Sequence, residues 1–220
     1  MLLTILKSAL IEGLNRFGST KRPNIWLSRR DEATNLLMNE KYFYSESESR
    51  KKVVNLLLQL NIKNVFEFGC NSGPNARLLV GQDLTSYVGL DTNESALKFA
   101  EEKINNNTFD FINWEVLNKK DTEFFHKFDT FFSIYSMSYI EFDTAAELLG
   151  KFKNCNYFIF CEPENKLRMS ITLNRTPEYS HDYHKLIRLI RVGDFTVFQM
   201  DLDLPTYNTR RILFFVRQQL

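Results

Sequence analysis

The sequence predicts an α/β protein with a doubly wound, seven-stranded, mainly parallel sheet and an antiparallel C-terminal strand. Predicted strands and helices alternate along most of the chain, which is the pattern of parallel βαβ units. The inner strands are continuous apolar runs such as Tyr157-Phe158-Ile159-Phe160, as expected where helices cover both faces of a sheet. The last two predicted strands follow each other with only a turn between them, and such a pair is antiparallel.

The elements follow one another in a regular order. A capping-box spacing, Ser45 followed by Glu48, predicts the start of a helix that runs to about Leu60. Strands are predicted over residues 64–68, 86–91, 109–116, 128–134, 156–161, 194–201 and 210–217. Helices are predicted over residues 2–15, 28–39, 74–80, 94–103, 144–152 and 182–191, with a short one at Phe124 and Phe125. Residues 1–44 are therefore predicted to be a helical extension, and residues 45–220 the main domain.

The composition favours some classes of protein over others. The 28 basic and 27 acidic residues leave a net charge of +1, which gives no general case for a nucleic-acid partner. The three cysteines form no close pair and no metal-ligand spacing, so we expect a reduced, cytoplasmic protein. No basic region precedes the apolar N-terminus and no apolar run has transmembrane length, so neither a signal peptide nor a membrane association is expected. The 20 phenylalanines predict a core packed with rings.

One turn organises the chain, the segment Glu67-Phe68-Gly69-Cys70-Asn71-Ser72-Gly73. It follows the first predicted strand of the sheet and opens a helix, an arrangement that can hold a polar cofactor on backbone N–H groups. Asp91 ends the next strand, about twenty residues later, where a carboxylate can accept both ribose hydroxyls of a nucleotide. The two features in this order predict a nucleotide-like ligand.

These motifs resemble those of the class I S-adenosylmethionine-dependent methyltransferases over roughly residues 50–217. The resemblance implies that the backbone from Gly69 to Gly73, including Cys70 and Asn71, lies against the methionine part of S-adenosylmethionine. Glu67 would orient this loop or hold the amino group of the cofactor. The closing hairpin is similar to the reversed last strand of this family, which separates it from dehydrogenases.

The remaining cofactor contacts are also implied by the resemblance. Asp91 would bind the ribose, and Thr92 or Asn93 would lie beside the adenine. Glu115 would stand near the adenine amino group and Val116 would contribute a backbone amide. Residues 128–137, with Tyr135, resemble the motif that passes under the cofactor and faces the substrate.

Two positions depart from the family pattern. Asn71 stands where many members have a third glycine, and asparagine tolerates a left-handed backbone better than most residues. Trp114-Glu115 replaces a Gly-Asp pair, and Trp114 is either a packing residue or an adenine stacker. Cys70 has no partner base in the sequence, which favours a small turn residue over a nucleophile.

Candidate catalytic residues lie after the fifth strand and at a helix start near the C-terminus. Glu162 follows the fifth strand, and His181 and His184 are two of the three histidines. A histidine can remove the proton of a hydroxyl acceptor near neutral pH. The alternative interpretation is that Asp182 caps the helix and that His184 belongs to its solvated face.

The leading hypothesis is a methyltransferase for a small molecule or a saccharide, acting at oxygen. Ser133-Ile134-Tyr135-Ser136 lacks the Asp/Asn-Pro-Pro-aromatic motif of enzymes that methylate base amino groups, so DNA is not expected as a substrate. The same segment offers no acid for a divalent cation. Two alternatives stay open: a protein or RNA acceptor, contacted through Arg50-Lys51-Lys52 among others, and a non-catalytic cofactor-binding subunit.

Overall fold

The computed structural model describes residues 32–163, 181–189, 195–202 and 210–217. The predicted helix at residues 2–15 and the turn between the last two strands lie outside these residues, as does most of the predicted extension. The boundary at residues 44 and 45 stays a prediction.

The described helices and strands alternate as the sequence predicts. The helices are α1 (Glu32–Phe43), α2 (Glu48–Gln59), α3 (Pro74–Leu79), α4 (Glu94–Ile104), α5 (Trp114–Asn118), α6 (Thr122–His126), α7 (Phe142–Lys151) and α8 (Tyr183–Leu189). The strands are β1 (Asn64–Phe68), β2 (Ser86–Leu90), β3 (Phe109–Ile112), β4 (Thr130–Ile134), β5 (Tyr157–Pro163), β6 (Phe195–Leu202) and β7 (Arg210–Arg217). A single 3₁₀ turn, Met137–Tyr139, follows β4.

The seven strands form one sheet in the order β3-β2-β1-β4-β5-β7-β6. Strands β1 to β5 run parallel, and β7 lies antiparallel between β5 and β6. This confirms the predicted fold class. The chain leaves β1 toward β2 on one side and reaches β4 on the other, so the strand order reverses next to β1. Ligands of open α/β sheets bind at the carboxyl ends of the strands beside such a reversal.

Alternating side chains of the strands feed two cores, one on each face of the sheet. Val65 of β1 packs with apolar residues of α1 to α4, whereas Phe66 packs with residues of α5 to α8. The second core is rich in rings, as the phenylalanine content predicts. The Phe66 ring centre lies 4.4 Å from that of Phe152, which itself lies 5.1 Å from that of Phe131. The sheet is therefore covered on both faces, as continuous apolar strands require.

Two local predictions are wrong. Helix α2 begins after Ser47, whose hydroxyl accepts a hydrogen bond from Arg50 N at 3.2 Å, and not at Ser45. The third strand ends at Ile112 and does not reach Val116, because the Asn113 side chain accepts from Val116 N at 2.9 Å and starts α5. An N-cap of this kind satisfies an otherwise unpaired backbone N–H, which favours the helix.

Candidate functional site

The loop between β1 and α3, residues 69–73, has the backbone that the sequence predicts. Gly69 and Gly73 have φ angles of 77° and 80°, and Asn71 has 49°. A Cβ added to Gly69 would overlap the side chain of Ser136, which follows β4. Glycine is therefore required at position 69 by both conformation and space. Asn71 tolerates the left-handed region, so the turn forms without a third glycine.

Glu67 stabilises this loop through buried hydrogen bonds. Its side chain is fully buried, and Oε1 accepts a hydrogen bond from Asn75 Nδ2 at 2.7 Å while Oε2 accepts one from the Tyr87 hydroxyl. Burial raises the pKa of Glu67 to about 7, against the lowering effect of these hydrogen bonds. Glu67 lies at the end of β1, Asn75 lies in α3 and Tyr87 lies in β2. One carboxyl group therefore links the two elements that flank the loop to the neighbouring strand.

Asp91 joins the loop to the carboxyl end of β2. Its Oδ2 accepts from Asn71 N at 2.8 Å and its Oδ1 accepts from Asn93 N at 2.9 Å. Burial raises the pKa of Asp91, and these backbone N–H groups oppose the rise. Thr92 is exposed beside it, and Asn93 caps α4 by accepting from Ala96 N at 3.2 Å. The acid and its two neighbours thus stand together at the edge where the cofactor is expected.

Cys70 is a packing residue in the described structure. Its thiol is buried, and a Cβ on Gly89 of β2 would come within 2.8 Å of it. Burial raises the pKa of the Cys70 thiol well above its ordinary value, so it stays protonated at neutral pH.

The residues present fit the adenosine and methionine parts of S-adenosylmethionine. The left-handed backbone at Gly69, Asn71 and Gly73 shapes the loop at the end of β1, and Asp91 offers carboxylate oxygens at the end of β2. Gly69, Cys70, Asn71, Gly73, Asp91, Thr92 and Asn93 would hold it. A carboxylate has more lone pairs than the two N–H groups use, so Asp91 retains acceptor capacity for ribose hydroxyls.

The predicted adenine contacts lie on α5, whose N-cap Asn113 donates to Glu94 Oε1 of α4 at 3.2 Å. Glu115 is on the first turn of α5, exposed, with its carboxylate 2.8 Å from Lys119 Nζ. Val116 is 38% exposed in the same helix. Trp114 packs partly against the second core, with its ring centre 5.9 Å from that of Phe68. That packing role is one of the two alternatives raised by the sequence.

The segment after β4, residues 135–139, lies next to the glycine loop. Tyr135 has a φ of 61°, a strained conformation for a non-glycine residue, and its hydroxyl shares a hydrogen bond with Ser49 of α2. Glu162 of β5 lies beneath this segment. Its Oε1 accepts from Ser133 Oγ, Ser136 N and Met137 N, each at 3.1 Å. Burial raises the pKa of Glu162 to about 7.

His181 reaches the same segment from the other side. Its Nε2 lies 2.8 Å from Met137 O, and burial lowers the pKa of the ring. Glu162 and His181 are therefore brought together at Met137. His184 is not brought there, since it is exposed on α8 with its ring centre 5.5 Å from that of Phe215.

Several residues of this site carry no motif and were not predicted from the sequence. Tyr183 is buried, and its ring stacks on Phe160 with a centre-to-centre distance of 4.6 Å. Ser136 fills the space beside Gly69, and Asn39 contacts the glycine loop from α1. Periodicity places Tyr183 on the inner face of its helix but does not reveal that the helix begins beside β5.

Two kinds of feature are missing from the described part of the chain. None of its helices is long and apolar enough to cross a membrane. Within the same residues, no three His, Cys, Asp or Glu side chains are grouped as metal ligands would be.

Comparisons with known proteins agree with this geometry. Residues 66–156 match the model of a family described as a methyltransferase domain. No curated protein matches the chain. Many solved structures share the fold.

Three of these structures illustrate the likeness. The methyltransferase domain of bacterial CtHen1 superposes with a TM-score of 0.58 at 14% identity, over 77% of this chain and 97% of that one. Magnesium protoporphyrin IX methyltransferase (ChlM) from Synechocystis PCC 6803, with bound SAH, gives 0.57 at 18% identity, over 83% and 94%. A putative S-adenosylmethionine-dependent methyltransferase from Listeria monocytogenes gives 0.57 at 15% identity, over 79% and 100%.

Proposed function

We propose that the chain is an S-adenosylmethionine-dependent methyltransferase and that it methylates a hydroxyl oxygen of a small molecule or a saccharide. The match of residues 66–156 to a methyltransferase-domain family and the Rossmann-like strand order support the first part of this proposal. When bound, S-adenosylmethionine supplies a methyl group activated on a sulfonium. The protein has to align the acceptor and take up its proton. The observation that carries the proposal is the neutral, oriented ring of His181 beside the segment that follows β4.

The backbone that follows β4 holds the ring of His181. Its Nε2 lies 2.8 Å from Met137 O, and hydrogen bonds to the backbone of Met137 and Ile140 oppose the lowering of its pKa. The pKa of His181 lies below its ordinary value of 6.5, and the neutral ring therefore predominates at pH 7. We assign His181 the role of proton acceptor for the acceptor hydroxyl.

Glu162 is assigned a positioning role. Its carboxyl group is buried and holds the backbone of Ser136 and Met137, which is the same segment that orients His181. A fixed backbone at Met137 fixes the imidazole plane, and small errors of placement are costly in a displacement reaction. His184 receives no role in the reaction, because it is exposed on α8 and its ring lies beside Phe215.

The charge of the described surface supports a small acceptor. Lys51 and Lys52, the basic pair next to Arg50, lie 2.9 Å from Glu46 and 3.5 Å from Glu48. The cluster considered for a macromolecular partner is therefore matched by acids, whereas a nucleic-acid surface presents unmatched positive charge. The buried, reduced thiols of Cys70, Cys155 and Cys161 support a cytoplasmic location.

A labelling experiment tests this proposal. The protein is incubated with S-adenosylmethionine that carries a tritiated methyl group and, separately, with a filtered low-molecular-weight extract, total RNA and total protein. We expect alkali-stable label in the low-molecular-weight fraction, as an O-methyl ether gives. Label in RNA or protein only, or alkali-labile label, would overturn the acceptor class.

A matched pair of histidine variants tests the proton acceptor. His181→Gln should lower kcat by about 10²–10⁴-fold, the usual contribution of a general base. His184→Gln should leave kcat unchanged, and both variants should bind S-adenosylhomocysteine as the wild type does. In the wild type, kcat should fall as the pH drops below 6.5, because protonation removes the lone pair. Equal rates for the two variants would remove His181 from the mechanism.

A further inference from the structure

Two buried polar groups lie beside β5, one on Glu162 and one on Tyr183. Within the described part of the chain, neither Glu162 Oε2 nor the Tyr183 hydroxyl has a hydrogen-bond partner. The two residues are 5% and 7% exposed, so bulk water does not solvate these groups. An unpaired buried polar group costs free energy, and such groups therefore occur where a ligand or a bound water completes them.

Glu162 and Tyr183 are neighbours on one face of the sheet. The ring of Tyr183 stacks on Phe160, which precedes Glu162 by two positions in β5, and alternate residues of a strand point to the same face. Burial raises the pKa of Tyr183 well above its ordinary value, and the charge of Glu162 adds to this rise, as expected of adjacent groups. The ring of Tyr183 also meets that of His181 edge to face, with 5.9 Å between the ring centres. The position of its hydroxyl is therefore fixed by rings on two sides.

The carboxyl group of Glu162 is fixed through its other oxygen. Oε1 accepts hydrogen bonds from Ser133 Oγ, Ser136 N and Met137 N, each at 3.1 Å. These three donors hold the plane of the carboxyl group, so the direction of Oε2 is set as well. Oε2 and the Tyr183 hydroxyl thus form a preorganised pair, which lowers the entropic cost of binding a third group.

The chemistry of this pair selects a hydroxyl group. A phenol hydroxyl donates and a carboxylate oxygen accepts, and a ligand hydroxyl can accept from Tyr183 while it donates to Glu162. An ammonium group donates only and would leave the Tyr183 hydrogen unpaired. A carbonyl oxygen accepts only, so it fits the pair only while Glu162 is protonated. A hydroxyl fits in both protonation states of Glu162.

The pair lies next to the proposed proton acceptor. Glu162 Oε1 binds Met137 N, and His181 Nε2 lies 2.8 Å from Met137 O. The N–H and C=O of one residue lie within a single residue span, which is about 3.6 Å at most. His181 is partly exposed, whereas Glu162 and Tyr183 are buried. An acceptor that presents one hydroxyl to His181 therefore brings the hydroxyl on its neighbouring carbon within reach of the pair.

We propose that Glu162 Oε2 and the Tyr183 hydroxyl bind a second hydroxyl group of the acceptor, adjacent to the one that is methylated. The acceptor is then a vicinal diol, as saccharides and cyclitols are, and a small molecule with a single hydroxyl is a poor substrate. This inference rests on the proposed function for the identity of the reacting hydroxyl, but the hydroxyl site can be tested without methyl transfer.

The test compares the binding of two probes, cis-1,2-cyclohexanediol and cyclohexanol. Dissociation constants are measured by NMR titration on the full chain with S-adenosylhomocysteine present. The wild type should bind the diol about 10-fold more tightly, the net contribution of one or two neutral hydrogen bonds. Tyr183→Phe should reduce this preference to about twofold or less. Tyr157→Phe, at the opposite end of β5, is the matched control and should keep the wild-type preference.

Two outcomes of the titration would overturn the proposal. If a bound water alone completes the pair, the wild type will bind the diol no more tightly than cyclohexanol. If another part of the protein recognises the diol, Tyr183→Phe will leave the preference intact. A diol preference that Tyr183→Phe removes would support the hydroxyl site even if the tritium label appeared only in RNA or protein, so failure of the proposed reaction is recognised separately.

The labelled extract gives a second measurement. Periodate cleaves the bond between carbons that carry adjacent hydroxyl groups. Pretreatment of the low-molecular-weight extract with periodate, followed by removal of the reagent, should therefore abolish the labelled product. Label that survives this treatment would overturn the requirement for a vicinal diol.

Discussion

Glu67 and Glu162 are two glutamates with the same burial and different surroundings. Each lies near the carboxyl end of an inner strand, each is at most 5% exposed, and burial raises the pKa of each to about 7. Both oxygens of Glu67 have partners, Asn75 and Tyr87. Only one oxygen of Glu162 has any, because Oε2 is buried without a hydrogen-bond partner.

The same contrast holds for two buried tyrosines. The hydroxyl of Tyr87 donates to Glu67, whereas the hydroxyl of Tyr183, beside β5, has no partner. A buried polar group without a partner is costly, so such groups concentrate where a ligand or water completes the arrangement. The carboxyl group of Glu67 is thus satisfied within the protein, whereas Glu162 and Tyr183, on the β5 side of the site, keep unfilled hydrogen-bonding capacity. The contrast yields four predictions.

The largest effect is expected at Gly69, which lies against Ser136. Gly69→Ala should abolish detectable S-adenosylhomocysteine binding in calorimetry and should destabilise the fold. The added methyl group would overlap Ser136, and the φ of 77° strains any other residue.

Gly81→Ala is the matched control for Gly69→Ala. Gly81 has a φ of 80°, yet nothing lies within 4 Å of an added Cβ. It should cost only the left-handed penalty, about 1–2 kcal/mol in urea unfolding. The double variant Gly69→Ala/Ser136→Gly should recover part of the binding. If Gly69→Ala changed binding and stability no more than Gly81→Ala does, the close approach of Gly69 to Ser136 would not limit the residue at position 69.

A pH dependence of stability follows from the two glutamates. Each folded-state pKa lies near 7 and above the ordinary value of 4.5, so the folded protein binds more protons than the unfolded chain between these values. Stability from each group is therefore present below pH 4.5 and lost as the pH rises through 7, by up to about 3 kcal/mol.

Neutral variants should remove this dependence. In urea unfolding at pH 5 and pH 8, Glu67→Gln and Glu162→Gln should each reduce the difference in unfolding free energy between the two pH values. Asp110→Asn, at an exposed acid of β3, is the control for a general charge effect. Parallel pH profiles for the wild type and both glutamine variants would contradict the burial argument.

Removing the hydroxyl of Tyr87 or of Tyr183 should affect the stability of the fold differently. Tyr87→Phe leaves Glu67 Oε2 without its donor and should destabilise the fold by about 1–3 kcal/mol. Tyr183→Phe removes an unsatisfied group and should leave stability equal or higher. Thermal unfolding of the two variants measures this. A larger loss for Tyr183→Phe would mean that its hydroxyl is satisfied within the folded chain.

The sheet and the turn of the candidate cofactor site could be predicted because both depend on patterns of neighbouring residues in the sequence. Apolar strands, a Gly-rich turn and an acid at a strand end appear as short patterns. The start of a helix was predicted wrongly where more than one residue could serve as its N-cap. In Ser45-Glu46-Ser47-Glu48, the residue that caps the helix is Ser47. The arrangement around Glu162 and His181 depends on contacts between residues that are distant in the sequence. Examples are the contact of Met137 with His181 and the absence of a hydrogen-bond donor for Glu162 Oε2. No spacing along the chain encodes these.

Glu115 is where a motif and the surrounding contacts point in different directions, and there we expect the smallest effect. The resemblance places its carboxylate near the adenine amino group. In the structure it is exposed and 2.8 Å from Lys119, and that pairing lowers its pKa. Glu115→Gln should change the dissociation constant of S-adenosylhomocysteine by less than about twofold, since exposed ion pairs contribute little. Asp91→Asn in the same assay supplies the large loss expected of a ribose-binding acid. A tenfold loss for Glu115→Gln would show that α5 repositions its first turn when the cofactor binds.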